Sequence, residues 1–282
     1  MIVTERSGKM YKNSVLTVLL FVFIIACTTA VTAQDEGESS LGLSLGATGF
    51  HLLDEHAAYL IFRGTGITPS VLYSFTDGRD KHYADIMFTY SNLRTVSEVY
   101  KTPFLAGRLR YSCLRQVAEG NLFNHSLDLS AGLSVSSFFS KASYKFQMPG
   151  LWANGIKTWY GSHSADVSIQ AGYNTGENSR VELLCYLPVI SNVSRPAYSS
   201  SGDYNYEKND WQIKPFGNTM FLTGNFGFNA LLSWVHNPRN KMAFTISYEF
   251  NYNHCTKPDR VTLFSNSLRA CIMFNLKSGA KE

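Results

Sequence analysis

From about residue 40 onward the chain repeats short segments in which apolar and polar residues alternate, about nine or ten times over. The clearest segment puts Met242, Phe244, Ile246, Tyr248, Phe250 and Tyr252 on one parity and Ala243, Thr245, Ser247, Glu249, Asn251 and Asn253 on the other. A β-strand turns successive side chains to opposite faces, so this segment has one greasy, partly aromatic face and one small, polar face. A soluble sandwich shows such alternation too. It rarely shows it so many times behind an export signal with no helical segment between. The pattern predicts an all-β chain, an antiparallel transmembrane β-barrel with its apolar face to lipid and its polar face to the lumen.

The export signal is read from residues 1–33. Lys9 and Lys12 precede an uncharged stretch of 19 residues, Val15 to Ala33, and Val31-Thr32-Ala33 supplies the small residues of a cleavage site before Gln34. Two competing readings are a membrane-anchoring helix, since ~20 apolar residues span a bilayer, and a lipoprotein anchored through Cys27, since Ile24-Ile25-Ala26-Cys27 passes loosely for a lipobox. The expected organisation is a signal peptide over 1–33, a short periplasmic segment over 34–39, a barrel over 40–277 and a tail over 278–282.

Cleavage leaves 249 residues with 22 basic and 20 acidic side chains, a near-balance that argues against a nucleic-acid binder. Mean hydropathy is −0.10, the average of strands that are half lipid-facing and half not. Aromatic residues make up 14%, which suits the rings that barrels place at both membrane interfaces. Cys113, Cys185, Cys255 and Cys271 remain after cleavage without any paired spacing, so no disulfide is implied.

Ten strands are expected, near 40–50, 57–76, 81–92, 103–115, 122–137, 159–173, 180–190, 217–235, 241–253 and 260–276, with eight and twelve left open. The connections at 77–80, 117–121, 174–179 and 236–240 are short and made of turn residues, whereas 138–158 and 191–216 are long. Short and long alternate, as they do when turns are periplasmic and loops external. Strands 2 and 8 are near 20 residues long, and Gly64-Thr65-Gly66 suggests a bulge where the alternation of strand 2 changes parity. If the even strands descend to the periplasm, their last outward residues are Phe75, Tyr111, Tyr173, Trp234 and Phe274, an aromatic girdle at the inner interface.

The chain closes its last strand with Ala270-Cys271-Ile272-Met273-Phe274-Asn275-Leu276, similar to the terminal strand that barrel-assembly machinery recognises, though six residues follow it. On the signal, the two-residue pattern, the loop alternation and this last strand, the mature chain resembles a Gram-negative outer-membrane β-barrel protein. The resemblance implies outer-membrane localisation, a lipid environment and passage through the assembly machinery; it reaches no functional subfamily.

Chemistry on the inward face is expected from Asp85, Arg108, Arg110, Asp128, Asp166, Glu182 and Glu249. Pairing strands about their turn centres puts Asp85 near Arg110, Arg110 near Asp128 and Asp128 near Asp166. One reading makes these ion pairs that fill a narrow barrel; the other makes them an ion or proton path. About eight strands are filled by their own side chains, and open channels appear at ~16–18. The expectation is therefore a non-enzymatic barrel with a narrow or filled lumen. The alternatives are a narrow ion or small-solute channel and a soluble or lipid-anchored β-sandwich. A lipid hydrolase of the outer-membrane phospholipase kind would need His-x-Ser on one strand face, and only His125-Ser126 and His163-Ser164 occur, with side chains opposed. No cofactor is expected. His51 and His56, with Asp54 and Glu55, are weak metal candidates. Tyr198, Tyr204, Tyr206 and Trp211 stand among small polar residues in the long loop, a composition suited to binding an external ligand or partner.

Overall fold

A computed structural model describes residues 37–55, 58–95, 100–123, 125–144, 147–148, 151–152, 156–195, 216–239, 242–257 and 260–276. The alternating segments form ten antiparallel barrel strands: β1 (Glu38–Asp54), β2 (Ala58–Asp77), β3 (Asp80–Thr95), β4 (Lys101–Leu122), β5 (His125–Tyr144), β6 (Ile156–Gly176), β7 (Ser179–Ser194), β8 (Asn225–Arg239), β9 (Met242–Cys255) and β10 (Val261–Asn275). Each pairs with its neighbours in sequence, and β1 closes the ring by pairing with both β2 and β10. Leu45, for example, faces Pro69 on one side and Ala270 on the other. Closure removes the sheet edges that a long open sheet would expose.

The strands run from 14 to 22 residues, well past the ~9–11 that cross a bilayer. Outward positions form a broad apolar surface in which Leu45, Ile67 and Leu133 are 62%, 67% and 68% exposed. Water would not tolerate so continuous a band, and lipid requires it. A sandwich would bury these faces against each other; here they face out from a single closed sheet, and the molecule is an outer-membrane-type barrel. No helix among the described residues is long and apolar enough to cross a membrane, and the strands do the crossing.

Chain reversals at one end are tight. Gly78 takes a φ of 56° between Asp77 and Asp80, a backbone state that glycine reaches without steric cost. Two local expectations are corrected. The β4–β5 reversal is not at 117–121; pairing continues to Leu122 and His125, with Phe123 at a φ of 51° and a bulge between Gln116 and Ala118. Nor is there a bulge at Gly64–Gly66, since β2 keeps one register with β1 and β3 through that stretch. Phe62 lies on the same inward parity as Thr68 and Ser70, all three buried. The change of pattern is one of chemistry inside the lumen, not of strand geometry.

β7 has a split partner. Ser179–Tyr186 pair with β8, whereas Ile190–Val193 pair with the short segment Asn218–Phe221, which reverses through Gly224 N–H donating to Phe221 O at 2.8 Å. Between the two ladders sits Pro188, which has no N–H to donate, and β7 bulges beside it, with Val189 the extra residue between Pro188, opposite Asp166, and Ile190, opposite Ala165.

Candidate functional site

The inward residues fill the lumen in tiers, and their parity explains each. Nearest the tight turns, Lys81 Nζ lies 2.6 Å from Asp128 Oδ2, and Arg180 pairs with both Asp128 and Glu182, the latter at 2.7 Å. Gln170 Nε2 donates to Glu182 and to the Tyr83 hydroxyl, each at 3.1 Å.

The central tier is built around Glu249 on β9, only 2% exposed. Its carboxylate accepts from Arg108, from Arg110 at 3.3 Å, from Arg269 at 3.0 Å and from Asn229 Nδ2 at 2.7 Å. Arg108 also donates to Asp85 at 2.7 Å, and Arg269 Nη1 lies 3.5 Å from the other Asp85 oxygen. Arg110 stacks over Tyr186, its Cζ 3.9 Å from the ring centre. Three guanidiniums from β4 and β10 thus converge on two carboxylates from β3 and β9. A charge held in a low-dielectric interior requires such partners. Asp166, 3% exposed, adds a third carboxylate that interacts with Arg110 and with the hydroxyls of Ser164 and Ser136.

Above this tier a chain of hydroxyls runs across four strands: Ser267 to Thr48 at 2.7 Å, Thr48 to Thr68 at 2.6 Å and Thr68 to Thr89 at 2.9 Å. Higher still the lumen turns apolar. Phe50, Leu52, Phe62, Leu93, Phe104 and Leu263 are all buried, with the Phe50 and Phe104 rings 5.0 Å apart. One ion pair lies among them, Arg195 to Asp54 at 2.6 Å, with Thr158 donating to the same carboxylate at 3.1 Å. The cavity beside it, lined by Leu52, Asp54, Phe104 and Tyr160, has a volume of about 10 Å³, room for about one water.

All seven sequence-predicted lumen charges face inward, but they do not form the predicted row. Asp85 faces Arg110 as expected. Arg110 faces Ser136 rather than Asp128, because the β4–β5 reversal lies later in the chain than the turn residues indicate. Asp128 faces Gly172 rather than Asp166, because β5 runs on to Tyr144 and pairs with β6 from Ile156, which centres that ladder later than expected. Asp128 and Glu182 join the lower tier, while Asp85, Arg108, Arg110, Glu249 and Asp166 cluster in the centre. Sequence reasoning missed Lys81, Arg180 and Arg269, although each shares the inward parity of its strand. It also missed Asn229 and Arg195, and it placed Asp54 in a metal-competent loop cluster rather than in the lumen against Arg195.

Of the girdle residues, Trp234 and Phe274 are exposed on the outer surface. Tyr111 is half-buried, with its hydroxyl 2.9 Å from His82 Nδ1, and the Tyr173 hydroxyl donates to Leu122 O at 3.4 Å. Phe75 departs from the expectation. It has the outward parity, but its ring covers the backbone at Gly37, where a Cβ would lie 2.6 Å from Cζ, and it is buried. The metal candidates also separate. His51 faces outward beside Phe264, Asp54 faces inward to Arg195, and His56 lies outside the described residues. No group of three metal-competent side chains occurs among the described residues. Tyr198, Tyr204, Tyr206 and Trp211 lie outside the described residues.

No protein-family model matches the chain, and no curated protein matches its sequence. Solved structures do resemble it. The outer membrane protease OmpT from Escherichia coli matches at 9% identity over 85% of this chain and 95% of that one, with a TM-score of 0.46. The translocator domain of the autotransporter NalP from Neisseria meningitidis matches at 10% identity over 95% and 99%, with a TM-score of 0.43. Neisserial surface protein A matches at 9% identity over 83% and 96%, with a TM-score of 0.35. These likenesses are of barrel to barrel. They carry no argument about activity, and the function is read from the lumen itself.

Proposed function

We propose that this outer-membrane barrel works with its lumen shut, as a non-enzymatic protein whose specificity resides in the outer loops. The observation that carries this reading is Glu249, 2% exposed and clasped by Arg108, Arg110 and Arg269. Inward side chains of an open aqueous channel would be wet; these are dry. The apolar tier above and the ion-paired tier below close the axis twice more. The long loop with Tyr198, Tyr204, Tyr206 and Trp211 then supplies the surface through which a ligand or partner is met.

Planar-bilayer recording of the refolded protein tests the reading. No steady ionic conductance is expected from the wild type, with channel activity emerging when Glu249→Gln loosens the central clasp. Steady wild-type conductance whose ion selectivity reverses in Arg110→Glu would replace this reading with the narrow ion path. That path draws its support from the charged side chains continuing from the lower tier to the centre. Removal of the loop segment around Tyr198 to Trp211 is expected to abolish binding to the cell-surface partner while leaving the barrel folded. Intact binding without the segment would move the specificity elsewhere.

A further inference from the structure

Two sulfurs meet at the upper end of the lumen. Cys255, the last residue of β9, and Met220, on the short segment Asn218–Phe221, are both buried, and Cys255 Sγ lies 3.8 Å from Met220 Sδ. The thiol is in no disulfide, and its sulfur is 3.1 Å from the Lys257 carbonyl oxygen. Beyond Cys255 the chain comes straight to the surface, with Thr256 and Lys257 exposed. An ion arriving from the side of the long loops reaches the sulfurs without crossing the central clasp. One turn holds both of them. The reversal at Phe221–Gly224 wraps Met220, and a Cβ on Gly224 would lie 3.5 Å from Met220 Sδ. The Gly224 carbonyl accepts from the Thr256 N–H at 3.0 Å and from the Thr256 hydroxyl at 3.2 Å, which ties the end of β9 to the same turn. The spacing of the pair is thus set before anything binds.

A second observation points to the same place. Asn225, 1% exposed, faces Cys255 across the β8–β9 ladder. Its Oδ1 accepts from the Tyr160 hydroxyl at 3.3 Å, whereas its Nδ2 has no hydrogen-bond partner among the described residues. A buried donor without an acceptor is costly, and a thiolate at Cys255 supplies the acceptor. Filling of volume alone explains neither the paired sulfurs nor the orphaned amide.

We infer that Cys255 and Met220 bind a soft monovalent metal ion of the copper(I) class. Thiolate and thioether are the ligands that select copper(I). With metal–sulfur bonds of about 2.3 Å, sulfurs 3.8 Å apart hold one ion at an S–metal–S angle of about 110°. On binding, the Cys255 S–H bond breaks, its proton leaves to water and a sulfur–metal bond forms, with no change in oxidation state. The thiolate cancels the single positive charge, so the apolar tier takes up a neutral centre; a divalent ion would leave a charge there. Arg195, close enough to act on Cys255, is itself paired with Asp54. A structural zinc site needs four ligands, and no group of three His, Cys, Asp or Glu side chains forms among the described residues. Metal binding here does not depend on whether the lumen conducts.

The test uses the barrel purified in detergent from outer membranes and given copper(I), as its acetonitrile complex, anaerobically and in competition with bicinchoninate. Wild type is expected to hold one copper(I) per chain, with two sulfurs bound to it by X-ray absorption. Cys255→Ser should abolish binding, while Met220→Leu should weaken it by about a hundredfold and Asn225→Leu by about tenfold. C113S/C185S/C271S, which keeps Cys255, should match wild type. Boiling-shifted gel migration confirms that each variant is folded. Should Cys255→Ser misfold, Met220→Leu decides by itself, since it exchanges side chains of similar volume. Unchanged affinity in folded Cys255→Ser would overturn the inference, and so would unchanged affinity in Met220→Leu, which would leave only a reactive thiol. Loss of binding in C113S/C185S/C271S, or displacement of copper(I) by an equal concentration of zinc(II), would overturn it as well.

Discussion

The upper and central parts of the lumen enclose the same kind of space with opposite chemistry. Above, Phe50, Leu52, Phe62, Leu93 and Phe104 fill it by volume, and a single Asp54–Arg195 pair is set among them. In the centre, Arg108, Arg110 and Arg269 fill it by charge against Asp85 and Glu249. Apolar packing is non-directional and tolerates exchange of one hydrophobe for another of similar volume. A buried charge cluster is stoichiometric, so loss of one member strands the rest. The upper tier should therefore yield gradually to substitution and the central tier abruptly.

The largest effect is expected at Glu249. Glu249→Leu removes the acceptor shared by three guanidiniums and Asn229, and breaking a buried pair from one side costs about 3–5 kcal/mol. Urea titration of the barrel in lipid vesicles, followed by the boiling-dependent gel shift, should show the midpoint fall far below that of the wild type. A midpoint within error of wild type would erase the contrast between the tiers, because the central charges would then be solvated rather than clasped.

Next comes Asp54, whose ion pair with Arg195 is set in the apolar tier. Asp54→Asn leaves Arg195, whose side chain is 2% exposed, without its ion-pair partner, and a loss of about 3 kcal/mol is expected. The double change Asp54→Asn with Arg195→Met should recover most of that, since replacing both members with uncharged groups often costs nothing. Recovery sharpens the comparison by showing that the upper tier needs volume and not charge. If the double variant is worse than the single one, the pair has a role beyond filling.

Much of this was legible in the sequence, and what was not has physical causes. The ten strands, their alternation and the inward parity of Asp85 to Glu249 follow from a period of two. Register across the β4–β5 hairpin did not follow, because Val117–Asn121 looks like a turn but runs on as strand to Leu122. A misplaced turn shifts every pair in its hairpin, so Arg110 was set against Asp128 instead of Ser136. Contacts across the lumen, such as Arg108 to Glu249, join residues 141 apart and have no local signature. Lys81 and Arg180 sit at strand ends, where parity is hardest to assign, and Arg269 was passed over although Ser265 and Ser267 share its face. The apolar upper tier did leave a trace, the change of pattern after Phe62, which reads as a bulge when every lumen is assumed to be polar.

The smallest effect is expected from Phe104→Leu, and it tests the apolar half of the comparison directly. Phe104 is 1% exposed and its ring meets Phe50 at 5.0 Å. Leucine keeps an apolar side chain at that position and gives up ring volume, so the cost should stay below about 1.5 kcal/mol. The cavity already beside Phe104 is about 10 Å³, and the lost volume enlarges it without exposing any charge. Conductance should remain absent, because the central clasp of Glu249 is untouched. A large loss of stability, or a pore opened by this change alone, would mean that the apolar tier is the true barrier and that the charges below it are only its support.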